Sequence, residues 1–276
     1  MENIQTLACP CDQTDFDVNI DLTEVCIMSN KFLSATLLSL SISTAVTAGP
    51  INVGGVVWDP DSAADFQSNG NTYETFAGNV GETVSGFGTI NQFNGTLADT
   101  FCPAGCELTY TFSLQLAAAT DLSVGGGPNL FVFDFNNITF DMFVDSTPDY
   151  DQLAPSFASA ADGVLFLSAV NNGNLTGTAA NLFDVNNING SGNGFLDVTG
   201  GLAFENFDTN TKANSSDLQF TSSFQTSNID VIGFPLFGSL DLGGQTAATV
   251  AEPSTLALLG LGILGFGFTA RRKSAK

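Results

Sequence analysis

Apolar and polar residues alternate with a period of two through much of the middle of this chain. In "ELTYTFSLQL" (107–116), Leu108, Tyr110, Phe112, Leu114 and Leu116 fall on one face, and Glu107, Thr109, Thr111, Ser113 and Gln115 on the other. Successive side chains of a strand point to opposite sides, so this is the pattern of a half-buried β-strand. "DLQFTSSFQT" (217–226) alternates again through Leu218, Phe220, Ser222 and Phe224. "GVLFLSAV" (163–170) and "GFLDVTG" (194–200) read as further short strands, punctuated by Gly, Asn and Asp clusters. The stretch "NLFVFDFNNITFDMFV" (129–144) predicts a hairpin turning at Asn136-Asn137, two residues that tolerate positive φ. A two-residue turn there pairs Phe135 with Ile138, Phe133 with Phe140 and Phe131 with Met142, and puts all six on one face.

No amphipathic helix of twelve residues occurs between residues 49 and 248, and no fixed-period repeat is present. Many short strands separated by turn signals predict an all-β domain, an antiparallel β-sandwich or jelly roll, over residues 49–248. About 200 residues suffice for one substantial core. The 25 phenylalanines against three tyrosines point to an apolar filling rather than a binding wall.

The two ends of the chain follow other patterns. From Met28, Lys31 supplies a positive n-region, Phe32 to Ala45 an apolar h-region, and Val46-Thr47-Ala48 small residues at −3 and −1. This is the layout of a secretory signal peptide over 28–48, a signal helix with cleavage by signal peptidase after Ala48. Residues 1–27 hold six acidic residues and no basic one, the wrong flank for such a peptide. Translation is therefore expected to begin at Met28, with 1–27 an upstream extension of the reading frame. At the other end, Thr255 to Ala270 carry no charge, and Arg271-Arg272-Lys273 follow directly. Sixteen helical residues span about 24 Å, a short transmembrane helix whose flanking cations reach the headgroups. The basic stop places the C-terminus in the cytoplasm and the rest of the chain across the inner membrane.

Charge and cysteine count narrow the chemistry. Of the 28 acidic residues, six lie in 1–27 and one is Glu252; the 21 left face Lys212 alone, a formal charge near −20 for residues 49–248. Such a domain repels nucleic acid and anionic surfaces. The chain has no histidine, which excludes Ser-His-Asp and Cys-His catalysis and histidine metal sites. Of five cysteines, only Cys102 and Cys106 lie beyond residue 48, and in an exported protein the pair reads as a disulfide closing a small loop. Carboxylate chemistry remains: Asp145, Asp149 and Asp151 offer the paired acids of a glycosidase. Calcium is the one cofactor the composition suits. "DVNNINGSGNG" (184–194) places Asp184, Asn186, Asn187 and Asn189 in a Gly-rich loop, without the EF-hand pattern; an ordinary Asx/Gly turn explains the same residues.

The tail resembles a PEP-CTERM sorting signal. Ala251-Glu252-Pro253 stands where that family has Pro-Glu-Pro, with alanine in the first place, and a Gly/Leu-rich apolar run and the basic triplet Arg271, Arg272, Lys273 follow over residues 251–276. The resemblance implies a Gram-negative source, export through a signal peptide, and removal of the tail by an exosortase at Glu252-Pro253. It also implies association with exopolysaccharide or biofilm. "GCELTYTF" and "GFLDVTGGLAFENFDTNT" are similar to recurrent segments of such proteins. The expectation is an exported, non-enzymatic surface or matrix protein with polysaccharide as its partner and no nucleic acid. The alternatives are a carbohydrate-binding jelly roll, with or without calcium, and a glycosidase.

Overall fold

The computed structural model describes residues 48–247, apart from 63–65, 124–128, 183, 185 and 229–230. A short hairpin, β1 (Ile51–Val53) and β2 (Val56–Trp58), precedes the main sheet. Then come β3 (Phe66–Glu74), β4 (Thr83–Phe93), β5 (Thr96–Leu97) and one helical turn, α1 (Ala98–Phe101). The long strands β6 (Glu107–Asp121) and β7 (Leu130–Asp145) lead through α2 (Phe157–Ala160) to β8 (Val164–Asn171) and β9 (Leu175–Ala180). The chain ends with β10 (Asn189–Gly200), α3 (Phe204–Phe207), β11 (Leu218–Thr226) and β12 (Leu236–Gly244).

Every pairing is antiparallel, and almost every strand pairs with its successor in the chain. Strands β8 and β9 share one place between β7 and β10: Thr139–Val144 of β7 pair with β8, and Leu130–Phe135 with β9. Strand β12 then pairs with β3 along its whole length. The result is a closed eight-sided up-and-down barrel, not the sandwich or jelly roll expected from the strand pattern. Alternation marks a strand with one buried face, and all these architectures bury one face. What separates them is the closing pair, with Gly70 opposite Leu240 and Ser239 opposite Asn71, between strands at the two ends of the domain.

The hairpin expected at Asn136-Asn137 is also corrected. Residues 130–145 form one strand, and Asn137 takes its positive φ (48°) inside it. The register with β6 slips there, from Ser113 opposite Thr139 to Gln115 opposite Asn136. A bulge inserts an extra residue and switches which parity faces inward. Phe133 and Phe135 therefore face the interior on one side of it, and Ile138, Phe140 and Met142 on the other. Turn and bulge solve the same inward-facing problem; the bulge bends β7 where its partner changes from β9 to β8.

An eight-stranded barrel is only wide enough inside for its own side chains or one small ligand. Here the large rings lie across glycines of the neighbouring strand. Phe112 sits opposite Gly86, Tyr110 opposite Gly88, Phe133 opposite Gly177, Phe220 opposite Gly194, and Phe224 opposite both Gly190 and Gly238. A Cβ on Gly86 would lie 2.2 Å from the Phe112 ring, and one on Gly190 2.3 Å from the Phe224 ring. The glycines are the space the rings occupy.

One end of the barrel is plugged. Trp58 of β2 stacks on Phe207 of α3 at 5.4 Å and meets the edges of Phe93 and Phe166. Phe101 of α1 packs on Phe93, and Cys102 and Cys106, joined as a disulfide with Cα atoms 5.0 Å apart, hold the turn that follows. The Trp58 indole donates to Thr246, and Ala247 N–H to Asn206, so the chain leaves the barrel at this end. The membrane helix expected at 255–270, and the signal helix expected at 28–48 apart from Ala48, lie outside the described residues. Among the described residues no helix is long and apolar enough to cross a membrane.

If glycine makes room for the rings, Gly86→Ala should destabilise the barrel by about 1–3 kcal/mol, read by urea unfolding. Adding Phe112→Leu should recover part of that loss. Additive losses in the double variant would contradict the packing described.

Candidate functional site

The end opposite the plug is built from the end of β3, the starts of β4 and β12, and the inner faces of β6, β7, β9, β10 and β11. A partly enclosed cavity of about 50 Å³ lies within it. Phe112, Leu114, Phe133, Phe135, Phe220, Phe224 and Leu236 make it apolar, and half-exposed Phe76 stands on the segment just after β3. The wall thins at Gly177 and Gly192, which also line an outer groove between Thr176, Thr178, Ser191, Asn193 and Thr221.

Strand β3 supplies the polar wall. Ser68, Gly70, Thr72 and Glu74 alternate along the strand on its inward face, and Tyr73 is buried on the other. The Ser68 hydroxyl and the Oε1 of Glu74 are buried and make no hydrogen bond, and the Thr72 hydroxyl sits beside that of Tyr110. Buried polar groups nearly always have a partner, and each unmet one costs on the order of 1–3 kcal/mol. Glu74 alone of the three lines the cavity. It is 7 % exposed, and burial raises its pKa from 4.5 to about 8. Among the described residues Lys212 is the one basic side chain, and no ion pair reaches Glu74. Tyr110, over Gly88, donates its hydroxyl to the Asn71 carbonyl at 2.8 Å. Burial raises the Tyr110 pKa, with Glu74 adding to the effect.

Sequence reasoning missed this wall. "FQSNGNTYE" (66–74) has no apolar alternation to separate its two faces, so only the register against β4 and β12 turns Glu74 inward. The one signal was a glutamate in a strand whose even positions from 68 to 74 are all small or polar.

The residues singled out in the sequence fall elsewhere. Asp145 and Asp149 do come together, with Glu107 as a third member and their oxygens within 4.8 Å of one another. Glu107 accepts the N–H groups of Asp149 and Tyr150, and partial burial raises its pKa. Asp151 instead caps its own turn by accepting from Leu153. In the Gly-rich loop Asp184 accepts from the Asn186 N–H, and the Asn189 amide donates to the Asn187 carbonyl. These bonds are those of an Asx turn. Ala48 is buried, and its N–H donates to the Asp61 carboxylate. Glu252, Pro253, Arg271, Arg272 and Lys273 lie outside the described residues.

Fold and cavity together define an all-β barrel with one closed and one open end. Residues 249–273 match the family model of the PEP-CTERM protein-sorting motif. The chain therefore carries a PEP-CTERM sorting tail, the mark of a protein exported, anchored in the membrane and then processed by an exosortase-type enzyme. No curated protein and no solved structure matches the chain.

Glu74 makes stability depend on pH. In the folded barrel it keeps its proton up to about pH 8, whereas the unfolded chain releases it near 4.5. Between those values the unfolded state binds fewer protons, so this contribution falls as pH rises, by up to about 1.4 kcal/mol per pH unit, and levels off above pH 8. Glu74→Gln should remove that slope, seen as a melting temperature that falls less from pH 5 to pH 8 than the wild type's. Equal slopes would show that Glu74 is not buried as described.

Proposed function

We propose that this chain is an exported, non-enzymatic barrel protein of the cell surface or extracellular matrix, released from its membrane anchor by exosortase-type processing and associated with exopolysaccharide or biofilm. The observation that carries the reading is the sorting motif at residues 249–273. The outer face of the barrel supports it. Thr178, Ser191, Ser223, Ser239 and Asn71 stand opposite one another across five strands, and Thr176, Asn193, Thr221, Asp241 and Asn69 form a second row. These side chains bond along the rows, as in Thr176 to Asn193 and Ser223 to Ser239. Rows of hydroxyl and amide groups with a single carboxylate suit a neutral polysaccharide, whose hydroxyls donate and accept in the same way. They do not form the apolar band of a lipid-facing barrel.

A carbohydrate module built on an aromatic platform has less support. Trp58, Tyr73 and Tyr110 are buried and Tyr150 half-buried, so no tyrosine or tryptophan is offered to a sugar ring. Nor is glycosidase chemistry favoured. Glu107 uses its carboxylate on the N–H groups of Asp149 and Tyr150, and Asp145 and Asp151 cap their own turns by accepting from Thr147 and Leu153.

Fractionation of the native host with intact-mass analysis tests the proposal. The mature protein should be found in the matrix fraction without residues 255–270, and replacing Glu252 and Pro253 with alanine should leave it unprocessed in the membrane. A mature protein that keeps 255–270 in a host with an active exosortase would overturn the sorting reading.

A further inference from the structure

We propose that the open-end cavity is a binding site for a small organic ammonium ion, held by the carboxylate of Glu74 with its apolar body against Phe112, Phe133, Phe220 and Phe224. Nothing in the sorting reading requires this site, and it rests on different residues. The cavity is lined mostly by apolar side chains, with Thr75, Thr178, Ser191 and Ser222 among them, and Glu74 stands in its wall with Oε1 buried and unpartnered. Across the sheet Glu74 stands opposite Leu236 and Gly86, neither of which bears a charge. Tyr110 on β6 is the titratable group whose pKa its charge helps to raise. The barrel thus holds an acid with no internal counter-ion.

Three ligand classes can be weighed. A carboxylate or phosphate ligand would meet a like charge in the cavity and the field of a domain whose formal charge is near −20. An alcohol would satisfy Oε1 but gain only a neutral hydrogen bond. An ammonium group forms a charge-assisted bond, which is roughly twice as strong, and offsets the burial of the carboxylate. The domain's negative field draws the same ligand in. The cavity size limits the enclosed part to a few heavy atoms, with longer tails running out through the open end. On binding, Glu74 releases its proton to solvent and the ligand stays protonated, so the complex holds one carboxylate and one ammonium.

The test uses the exported protein and three probes of matched length: butylammonium chloride, butan-1-ol and sodium butyrate. Calorimetric titration just below neutral pH should give saturable butylammonium binding at least roughly tenfold tighter than butan-1-ol, with no binding of butyrate. Glu74→Gln should weaken butylammonium by roughly tenfold and leave butan-1-ol unchanged. Titrations of the wild type in two buffers of different ionisation enthalpy should show release of a proton with butylammonium and none with butan-1-ol, a readout that holds even if the variant fails to fold. Equal affinity for amine and alcohol, unchanged amine binding by Glu74→Gln, or amine binding without proton release would each overturn the proposal.

Discussion

Closing eight strands into a ring leaves an interior too narrow for a large side chain at every inward position. This chain meets that constraint by giving several inward rings a glycine on at least one flank, as Phe112 lies between Gly86 and Phe140 and Phe220 between Gly194 and Leu242. Phe224 has Gly190 on one side and Gly238 on the other. The pairing also pins register. A slip of one residue would set a ring against a neighbour with a Cβ and turn every apolar side chain outward. A glycine in a strand is ordinarily a weak point, since it packs nothing; here the ring of the next strand covers it.

The same arithmetic of space explains why the two ends differ. At the plugged end the barrel is filled by additions from outside the ring: Trp58 from the β1–β2 hairpin, Phe101 from α1 and Phe207 from α3. At the other end Gly177, Gly190 and Gly192 of β9 and β10 leave room between the inward side chains. A small cavity remains, with Glu74 in its wall. Because residues 246 and 247 are bonded at the plugged end, the sorting tail is attached opposite the cavity. Anchoring and any binding at Glu74 therefore use separate ends of the molecule.

Much of this architecture was legible in the chain. The inward row of β6, Leu108 to Leu116, reads directly from alternation, as does the buried side of β11. Closure does not read from alternation, because a strand buried on one face looks the same in a barrel and a sandwich. The bulge at Asn137 was half legible: two apolar runs of opposite parity had to be reconciled, and an Asn with positive φ serves a turn or a bulge equally well. Glu74 was illegible, since β3 has no apolar periodicity and its facing comes wholly from its neighbours. The tail was the clearest element of all. Its signal is local, and membrane and protease read it without reference to the fold.

Closure by β12 against β3 is the contact on which ring packing, cavity and the burial of Glu74 all depend. Nuclear Overhauser contacts between backbone protons, measured on isotopically labelled exported protein, test it most directly. The barrel predicts contacts between Gly70 and Leu240 and between Asn71 and Ser239, together with contacts between Gly194 and Phe220 on the β10–β11 seam. Strong β10–β11 contacts with none between β3 and β12 would contradict the account, because the sheet would then be open and Glu74 would lie at its edge.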